Sequence, residues 1–309
     1  MLLEILIPTF NREKFLIKNL DLLNSQISKL PNPTQVGVII SDNCSSDDTV
    51  KVVQEYIAKS SLKIRLLQQD CNRGLEINAV NALYAATAPW VMFLGDDDYL
   101  PDEYLEFIIE QVSTRRDLGC IIPGSSRLYS NGDIKIAHGD KDKLTYLKPG
   151  FKSVLKISYF GHQLSGLTFL RDETMIEKYT TSKYRNIQLF IYFIAFNINI
   201  KSSIYAEKYK ILVSHFNHRH WNFDESGLLI DNYLNYLLLY QKNIFKGILA
   251  CIVFTDKQKW RLRIGSIKKS FRSLNNILHS NRIPISLKGA LVAYFIYASS
   301  YSLFQRILR

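Results

Sequence analysis

With 309 residues, 47% of them hydrophobic and 22% charged, the chain is long enough for one large domain, or one domain with an appendage, and can support a sizeable core. Its four cysteines, Cys44, Cys71, Cys120 and Cys251, stand far apart with no CxxC pair, which excludes a disulfide-stapled scaffold and reads as free thiols in a reducing compartment. The net charge of +11 belongs to the tail, because residues 241–309 carry 13 Lys and Arg against a single acid, Asp256. A basic tail of this kind suits an anionic membrane surface or a nucleic acid.

The first 120 residues alternate strand and helix patterns. Glu4 to Ile7 reads as a strand stopped by Pro8. It lacks the basic flank of a secretory leader. Phe15, Leu16, Leu20, Leu23, Ile27 and Leu30 recur at helical spacing and predict a helix over 12–30. A second strand runs over Gln35 to Ser41. A helix capped by Ser46 or Asp47 runs to Ser60. Lys63 to Gln68 is a third strand and Leu75 to Ala86 a helix. Trp90 to Leu94 is a fourth strand, bounded by Pro89 and Gly95, and Pro101 to Thr114 a helix with proline in its first turn. Repeated βα units predict an α/β fold with a mainly parallel sheet flanked by helices.

Beyond residue 120 the pattern changes. Gly119 to Pro123 and Ser126 to Tyr129 read as short strands, followed by a hairpin-turn signal at Ser130-Asn131-Gly132-Asp133. Gln163 to Leu170 and Lys208 to His215 are further strands, and Ile187 to Ile200 is an apolar helix. From Leu228 onward the chain is mostly helical. No run reaches the ~18–20 apolar residues of a spanning helix. The nearest, Gly289 to Phe304, is short and holds Ser299, Ser300 and Ser302.

Four polar segments sit at strand ends, where ligands bind in open α/β sheets. They are Ile7-Pro8-Thr9-Phe10-Asn11-Arg12, Ser41-Asp42-Asn43-Cys44-Ser45-Ser46-Asp47-Asp48-Thr49, Asn72-Arg73-Gly74 and Gly95-Asp96-Asp97-Asp98-Tyr99-Leu100-Pro101-Asp102. Three adjacent carboxylates repel one another, and burying them is costly unless something offsets the charge. A divalent cation with oxygen ligands, Mg2+ or Mn2+, is the simplest offset. A solvated acidic loop is the bland alternative.

In this order the four segments closely resemble the family 2 glycosyltransferases of the GT-A (Rossmann-like) fold, over about the first 115 residues. The resemblance implies a nucleoside diphosphate sugar as donor. By it, Pro8, Thr9 and Arg12 line the nucleotide pocket together with Asp96 and Asp97. Asp42 accepts the N–H of a uracil or thymine ring, although a cytosine amino group would also serve. Arg73 stacks on the base or reaches a phosphate, or is a plain surface arginine. Asp98 ligates the metal, and Asp97 contacts the ribose or shares the ion.

The chain departs from the family in two places. Gly95 stands where an aspartate is common, and the resulting Gly-Asp-Asp-Asp form looks like the bacterial surface-polysaccharide branch, abequosyltransferase-like enzymes included. An inverting enzyme also needs a base for the acceptor hydroxyl. The family often supplies it from an acidic pair where this chain has Arg185-Asn186-Ile187-Gln188-Leu189, and Gln188 cannot serve. His162 is the preferred replacement, with Asp172, Glu173, Asp224 and Glu225 as others. A loop histidine paired with a backbone carbonyl is the bland reading of His162.

The group His215-Phe216-Asn217-His218-Arg219-His220-Trp221 fits no zinc spacing. It reads as a loop over the donor, with His218 or His220 as a further metal or phosphate ligand. Trp221 would stack on an acceptor sugar or fill a core. In the tail, Ile264, Ile267, Phe271 and Leu274 form a stripe flanked by Lys268, Lys269 and Arg272, which suits a helix in a membrane interface or one packed on the catalytic domain. No recognition module accompanies the charge, so nucleic acid is not the expected partner.

These readings predict a catalytic domain over residues 1–220 and a helical, basic C-terminal appendage over 221–309. The expected activity is a metal-dependent, inverting, hexosyltransferase-like transfer to a glycan or lipid-linked oligosaccharide in O-antigen, capsule or similar synthesis. The expected location is cytoplasmic, peripheral on the inner face of the bacterial cytoplasmic membrane. A sugar-phosphate nucleotidyltransferase would want a glycine-rich loop that Pro8-Thr9-Phe10-Asn11 does not supply. A catalytically silent nucleotide-binding scaffold of an assembly complex is the remaining alternative.

Overall fold

A computed structural model describes the chain except residues 140, 216–224, 263–266 and 308–309, and except the side chains of 225–226, 267–269 and 301–307. The chain divides into two compact units. The first holds Met1–Gly150, Gln163–Glu177 and Asn197–His218, and the second holds Phe151–His162, Lys178–Phe196 and Arg219–Arg309.

The first unit is built on one sheet. Its strands are β1 (Leu3–Thr9), β2 (Val36–Asp42), β3 (Ile64–Gln68), β4 (Trp90–Phe93), β5 (Leu118–Tyr129), β6 (Ile134–His138), β7 (Leu144–Leu147), β8 (Thr168–Leu170) and β9 (Ser202–His215). They lie in the order β3-β2-β1-β4-β8-β5-β9-β7, with β6 paired to β5. Strands β1 to β4 are mutually parallel, β5 and β9 are parallel to each other, and β6, β7 and β8 run antiparallel to their neighbours. Every residue of β1 and β2 is buried, as in strands covered on both faces.

Helices α1 (Glu13–Ser28), α2 (Thr49–Lys59), α3 (Gly74–Ala85) and α4 (Tyr104–Thr114) link the first five strands. The apolar stripe of α1, Leu16, Leu20, Leu23 and Ile27, packs into a core with Leu3, Ile5, Ile7, Val38, Ile40 and Met92. Register sets the functional edge. Thr9 pairs with Asp42, Asp42 with Gln68, and Leu6 with Phe93, so the strands deliver their carboxyl ends, and the loops that follow, to one side.

The structure differs from the sequence reading in three places. The two short strands expected near 119–129 are one 12-residue strand, β5. Gly124 inside it is no breaker; a Cβ there would stand 3.0 Å from the Glu207 carbonyl, beside the irregularity where β5 meets β9. The strand expected from Gln163 shrinks to Thr168–Leu170, because Gly166 turns the chain with φ +78°. Strands β6 and β7 went unread, although the hairpin turn before β6 forms as expected, with Gly132 at φ +86° and the Asp133 N–H on Asn131 Oδ1 at 3.1 Å.

The later helices are α5 (Phe151–Ile157), α6 (Glu173–Thr180), α7 (Phe190–Ile200), α8 (Glu225–Leu239), α9 (Ile244–Lys257), α10 (Ile267–His279) and α11 (Ile285–Ile307). In the second unit Tyr179, Tyr192, Phe193, Tyr233, Tyr236 and Phe254 are almost wholly buried. Three of the hydroxyls find partners: Tyr233 with Thr255 Oγ1 at 2.8 Å, Tyr236 with Ser158 Oγ at 2.8 Å, and Tyr179 with the Asn186 carbonyl at 2.9 Å. The basic C-terminal region thus shares an aromatic core with two segments that precede residue 200. Among the described residues no helix is long and apolar enough to cross a membrane.

Leu20 is fully buried on α1. Leu20→Ala is expected to lower the unfolding free energy by about 2–5 kcal/mol, read from the urea midpoint at unchanged slope. A shift below about 1 kcal/mol would mean that α1 is not seated in the core.

Candidate functional site

The loops beyond β1, β2, β3 and β4 are laced together by side chains that answer backbone groups. After β1, Asn11 adopts a left-handed φ of 55°. Its N–H donates to Ser45 Oγ at 2.8 Å, and its Oδ1 accepts the Ser46 N–H at 2.8 Å. The Arg12 N–H donates to Thr49 Oγ1 at 2.9 Å, and the Asn43 N–H to the Thr9 carbonyl at 3.0 Å.

Asp42 ends β2 with 1% exposure. Its carboxylate accepts the Ser45 N–H at 3.0 Å and the Ser45 hydroxyl. These bonds take two of about four lone-pair positions, so the group shapes its own loop and keeps acceptor capacity. Asn43 ties this loop to the next. Its Nδ2 donates to Asn72 Oδ1 at 2.7 Å, and its Oδ1 accepts the Arg73 N–H at 2.9 Å. The Arg73 guanidinium is half-exposed and bonded to Asp70 at 2.9 and 3.2 Å.

The acidic loop joins the first of these. Thr9 Oγ1 donates to Asp96 Oδ2 at 2.8 Å, and Arg12 Nε lies 3.5 Å from Asp96 Oδ1. Asp98 is 5% exposed. Its Oδ1 accepts the Ser214 N–H at 2.8 Å and its Oδ2 the Ser165 hydroxyl. The Ser214 hydroxyl donates to the Asp97 carbonyl, and Asn19 Nδ2 to the Gly95 and Asp98 carbonyls at 2.9 Å each.

Burial, and then the neighbouring Asp97 charge, push both Asp96 and Asp98 up from 3.8 to about 7. Arg12 and Thr9 oppose the rise at Asp96; Ser165 and the Ser214 N–H oppose it at Asp98. Among the described residues no three His, Cys, Asp or Glu gather into a metal cage. A hard cation held by one or two carboxylates and substrate phosphates needs none. Buried carboxylates that resist ionising beside one another fit such an ion, which would supply the missing positive charge.

The remaining candidates belong to other segments of the chain. His162 ends a 3-10 turn, Ser158–His162, in the second unit, with Nδ1 2.7 Å from the Tyr159 carbonyl. Asp172 caps α6 by accepting the Met175 N–H at 2.7 Å, and Glu173 pairs with Arg171 at 2.6 Å. Gln188 lies ahead of α7, its N–H on Asn186 Oδ1 at 2.7 Å. His218, His220, Trp221 and Asp224 fall outside the described residues, as does the Glu225 side chain. Of the tail stripe, Leu274 is buried, whereas Phe271 is 60% exposed and meets Phe295 edge to face.

Asn19, Asn43, Ser165 and Ser214 were not read as site residues. One signal was available: Asn19 is a polar residue inside the apolar stripe of α1. Asn43 stands within one of the four polar segments, and Ser165 and Ser214 sit in unremarkable polar sequence.

The sequence model of Glycosyl transferase family 2 matches residues 4–159. The poly(ribitol-phosphate) beta-N-acetylglucosaminyltransferase TarS of Staphylococcus aureus is 32% identical over 106 residues, 34% of this chain and 18% of TarS. The GalNAc(5)-diNAcBac-PP-undecaprenol beta-1,3-glucosyltransferase of Campylobacter jejuni is 34% identical over 112 residues, 36% of this chain and 34% of that enzyme. The abequosyltransferase RfbV of Salmonella typhimurium is 24% identical over 160 residues, 48% of this chain and 47% of RfbV. These matches span less than half of each relative. The crystal structure of S. aureus TarS 1-349 with UDP-GlcNAc superposes with a TM-score of 0.67 at 15% identity, over 97% of this chain and 88% of that one. The likeness extends over nearly the whole chain and shows the same GT-A fold.

One pH dependence follows from the raised carboxylates. A group raised in the folded state stabilises it fully below the unfolded value, and that contribution is lost as pH rises through the folded value. For Asp96 and Asp98 the window runs from about 4 to about 7. In metal-free buffer Asp98→Asn should therefore flatten the fall in melting temperature between about pH 4 and pH 7. Parallel curves for the two proteins would refute the assignment.

Proposed function

We propose, because the chain belongs to glycosyl transferase family 2, that it moves a glycosyl group from a nucleoside diphosphate sugar to a hydroxyl of a glycan acceptor in surface polysaccharide synthesis. The acceptor oxygen attacks the anomeric carbon, the bond from that carbon to the diphosphate breaks with inversion, and the acceptor proton passes to a base. The observation that carries this reading is the acidic loop at the carboxyl edge of the parallel sheet, with Asp96 joined to Thr9 and Arg12.

Each residue then has a task. Asp42 and Arg73 face the nucleobase, and Pro8, Thr9, Arg12, Asp96 and Asp97 line the nucleotide. Asp98, with Asp97, would hold Mn2+ or Mg2+. The ion, when bound, would supply positive charge that offsets the charge building on the diphosphate leaving group. His162 is the candidate base: with Nδ1–H given to the Tyr159 carbonyl, Nε2 is the basic nitrogen of the ring. The glutamine at 188 favours one second reading, a nucleotide-binding scaffold without turnover.

Calorimetry with a panel of nucleoside diphosphates, UDP first, with and without Mn2+, tests the donor site. Asp97→Ala/Asp98→Ala is expected to weaken metal-dependent binding by at least about tenfold. Binding that the double variant retains would reject the acidic loop as the site. Turnover with a lipid-linked glycan acceptor separates the enzyme from the scaffold.

The proposed location is the inner face of the cytoplasmic membrane. It is supported by the tail's 13 basic residues and by Phe245, Trp260 and Phe271, which are 72%, 56% and 60% exposed. Phe245→Asp with Phe271→Asp should release the protein from anionic vesicles. Substitution is preferable to truncation, since Cys251 and Phe254 of this region are core residues. Undiminished vesicle binding would exclude this surface as the membrane contact.

A further inference from the structure

We propose that Ser165 is a positioning residue for Asp98: its hydroxyl fixes how that carboxylate presents its remaining lone pairs and so sets how tightly the site holds a divalent cation. The inference rests on reading Asp98 as a metal-holding carboxylate.

The hydrogen-bond roles at Ser165 are determined by its partners. Its oxygen accepts the Gly95 N–H at 2.9 Å. A serine hydroxyl has one proton to give, and it goes to Asp98 Oδ2. Ser165 is 1% exposed, so water does not compete for that proton. The other oxygen of Asp98 takes the Ser214 N–H at 2.8 Å. With one protein donor on each oxygen, the carboxylate cannot turn about its Cβ–Cγ bond without breaking a buried hydrogen bond.

Gly95 makes room for this pair. A Cβ at that position would stand 2.8 Å from Asp98 Oδ2 and 3.1 Å from Ser165 Oγ, closer than side chains tolerate. Gly95 and the serine 70 residues later thus meet at one oxygen of the same carboxylate. Ser165 is carried by a turn with anchors of its own. The Gly166 N–H donates to the Phe93 carbonyl at 2.8 Å, and the Phe93 N–H to the Leu167 carbonyl at 3.1 Å. Removing the hydroxyl therefore leaves the backbone of the turn bonded to β4.

Groups that orient metal ligands typically govern metal affinity by 10–100-fold. The test is a titration of the full chain with Mn2+, read from the paramagnetic resonance signal of the free ion, with and without UDP. Melting temperature is followed alongside. Ser165→Ala is expected to weaken Mn2+ binding by about 10–100-fold. Ser165→Thr, which keeps the hydroxyl, should restore it, and Gly95→Ala, which crowds the same carboxylate, should reproduce the loss. Asp98→Asn should abolish binding. Wild-type affinity in Ser165→Ala, when Asp98→Asn has lost binding, overturns the proposal. Equal losses in Ser165→Ala and Ser165→Thr would make Ser165 a packing residue and overturn it too. Undiminished binding by Asp98→Asn would instead overturn the metal reading of Asp98, and the role of Ser165 with it.

Discussion

Two carboxylates, the buried Asp98 and the part-buried Asp96, flank Asp97 in the loop that follows β4, and much of the surrounding structure answers the cost of that placement. Neither can ionise cheaply beside Asp97 in a desolvated corner, so both are pushed up to about 7. The protein offsets part of the cost locally. Asp96 receives a hydroxyl and a guanidinium from the first loop, and Asp98 a hydroxyl and a backbone N–H from two distant segments. These partners are too few for full neutralisation, and that deficit is the physical argument for a cationic ligand.

The same economy of donors organises the neighbouring loops. Backbone groups left over at the ends of parallel strands must find partners. Here Asn11, Asn43, Ser45, Thr49 and Asn72 supply them. A row of short polar side chains thus turns three strand ends into one continuous polar surface. Arg73 differs from them. Its backbone is fixed by Asn43, but its guanidinium is held by the exposed Asp70, a contact that water screens.

Legibility in the sequence followed the range of the interactions. Strands β1 to β4 and helices α1 to α4 were readable because period and punctuation are local properties. The turn before β6 was readable because Asn131 and Gly132 carry its geometry by themselves. Strand β5 was misread as two because the reason for Gly124, the close approach of β9, is written some 80 residues away. The acidic loop could be recognised, but its supports could not. Ser165 and Ser214 are ordinary serines until the fold brings them to Asp98. The C-terminal helices are legible by their charge; the buried tyrosines and Phe254 of the second unit leave no comparable pattern.

Strand β9 grips residues 97–99 at four points. Leu212 exchanges both backbone hydrogen bonds with Tyr99, and Ser214 gives its N–H to Asp98 and its hydroxyl to Asp97. This has a temporal consequence. A nascent chain that has emerged as far as residue 120 carries every polar segment recognised at the first four strand ends, yet lacks the strand that holds the acidic loop in place. Long-range pairing of this kind forms late. The edge that carries the acidic loop therefore matures only after some 90 further residues have been synthesised and docked, and the first 120 residues alone leave that loop without part of its support.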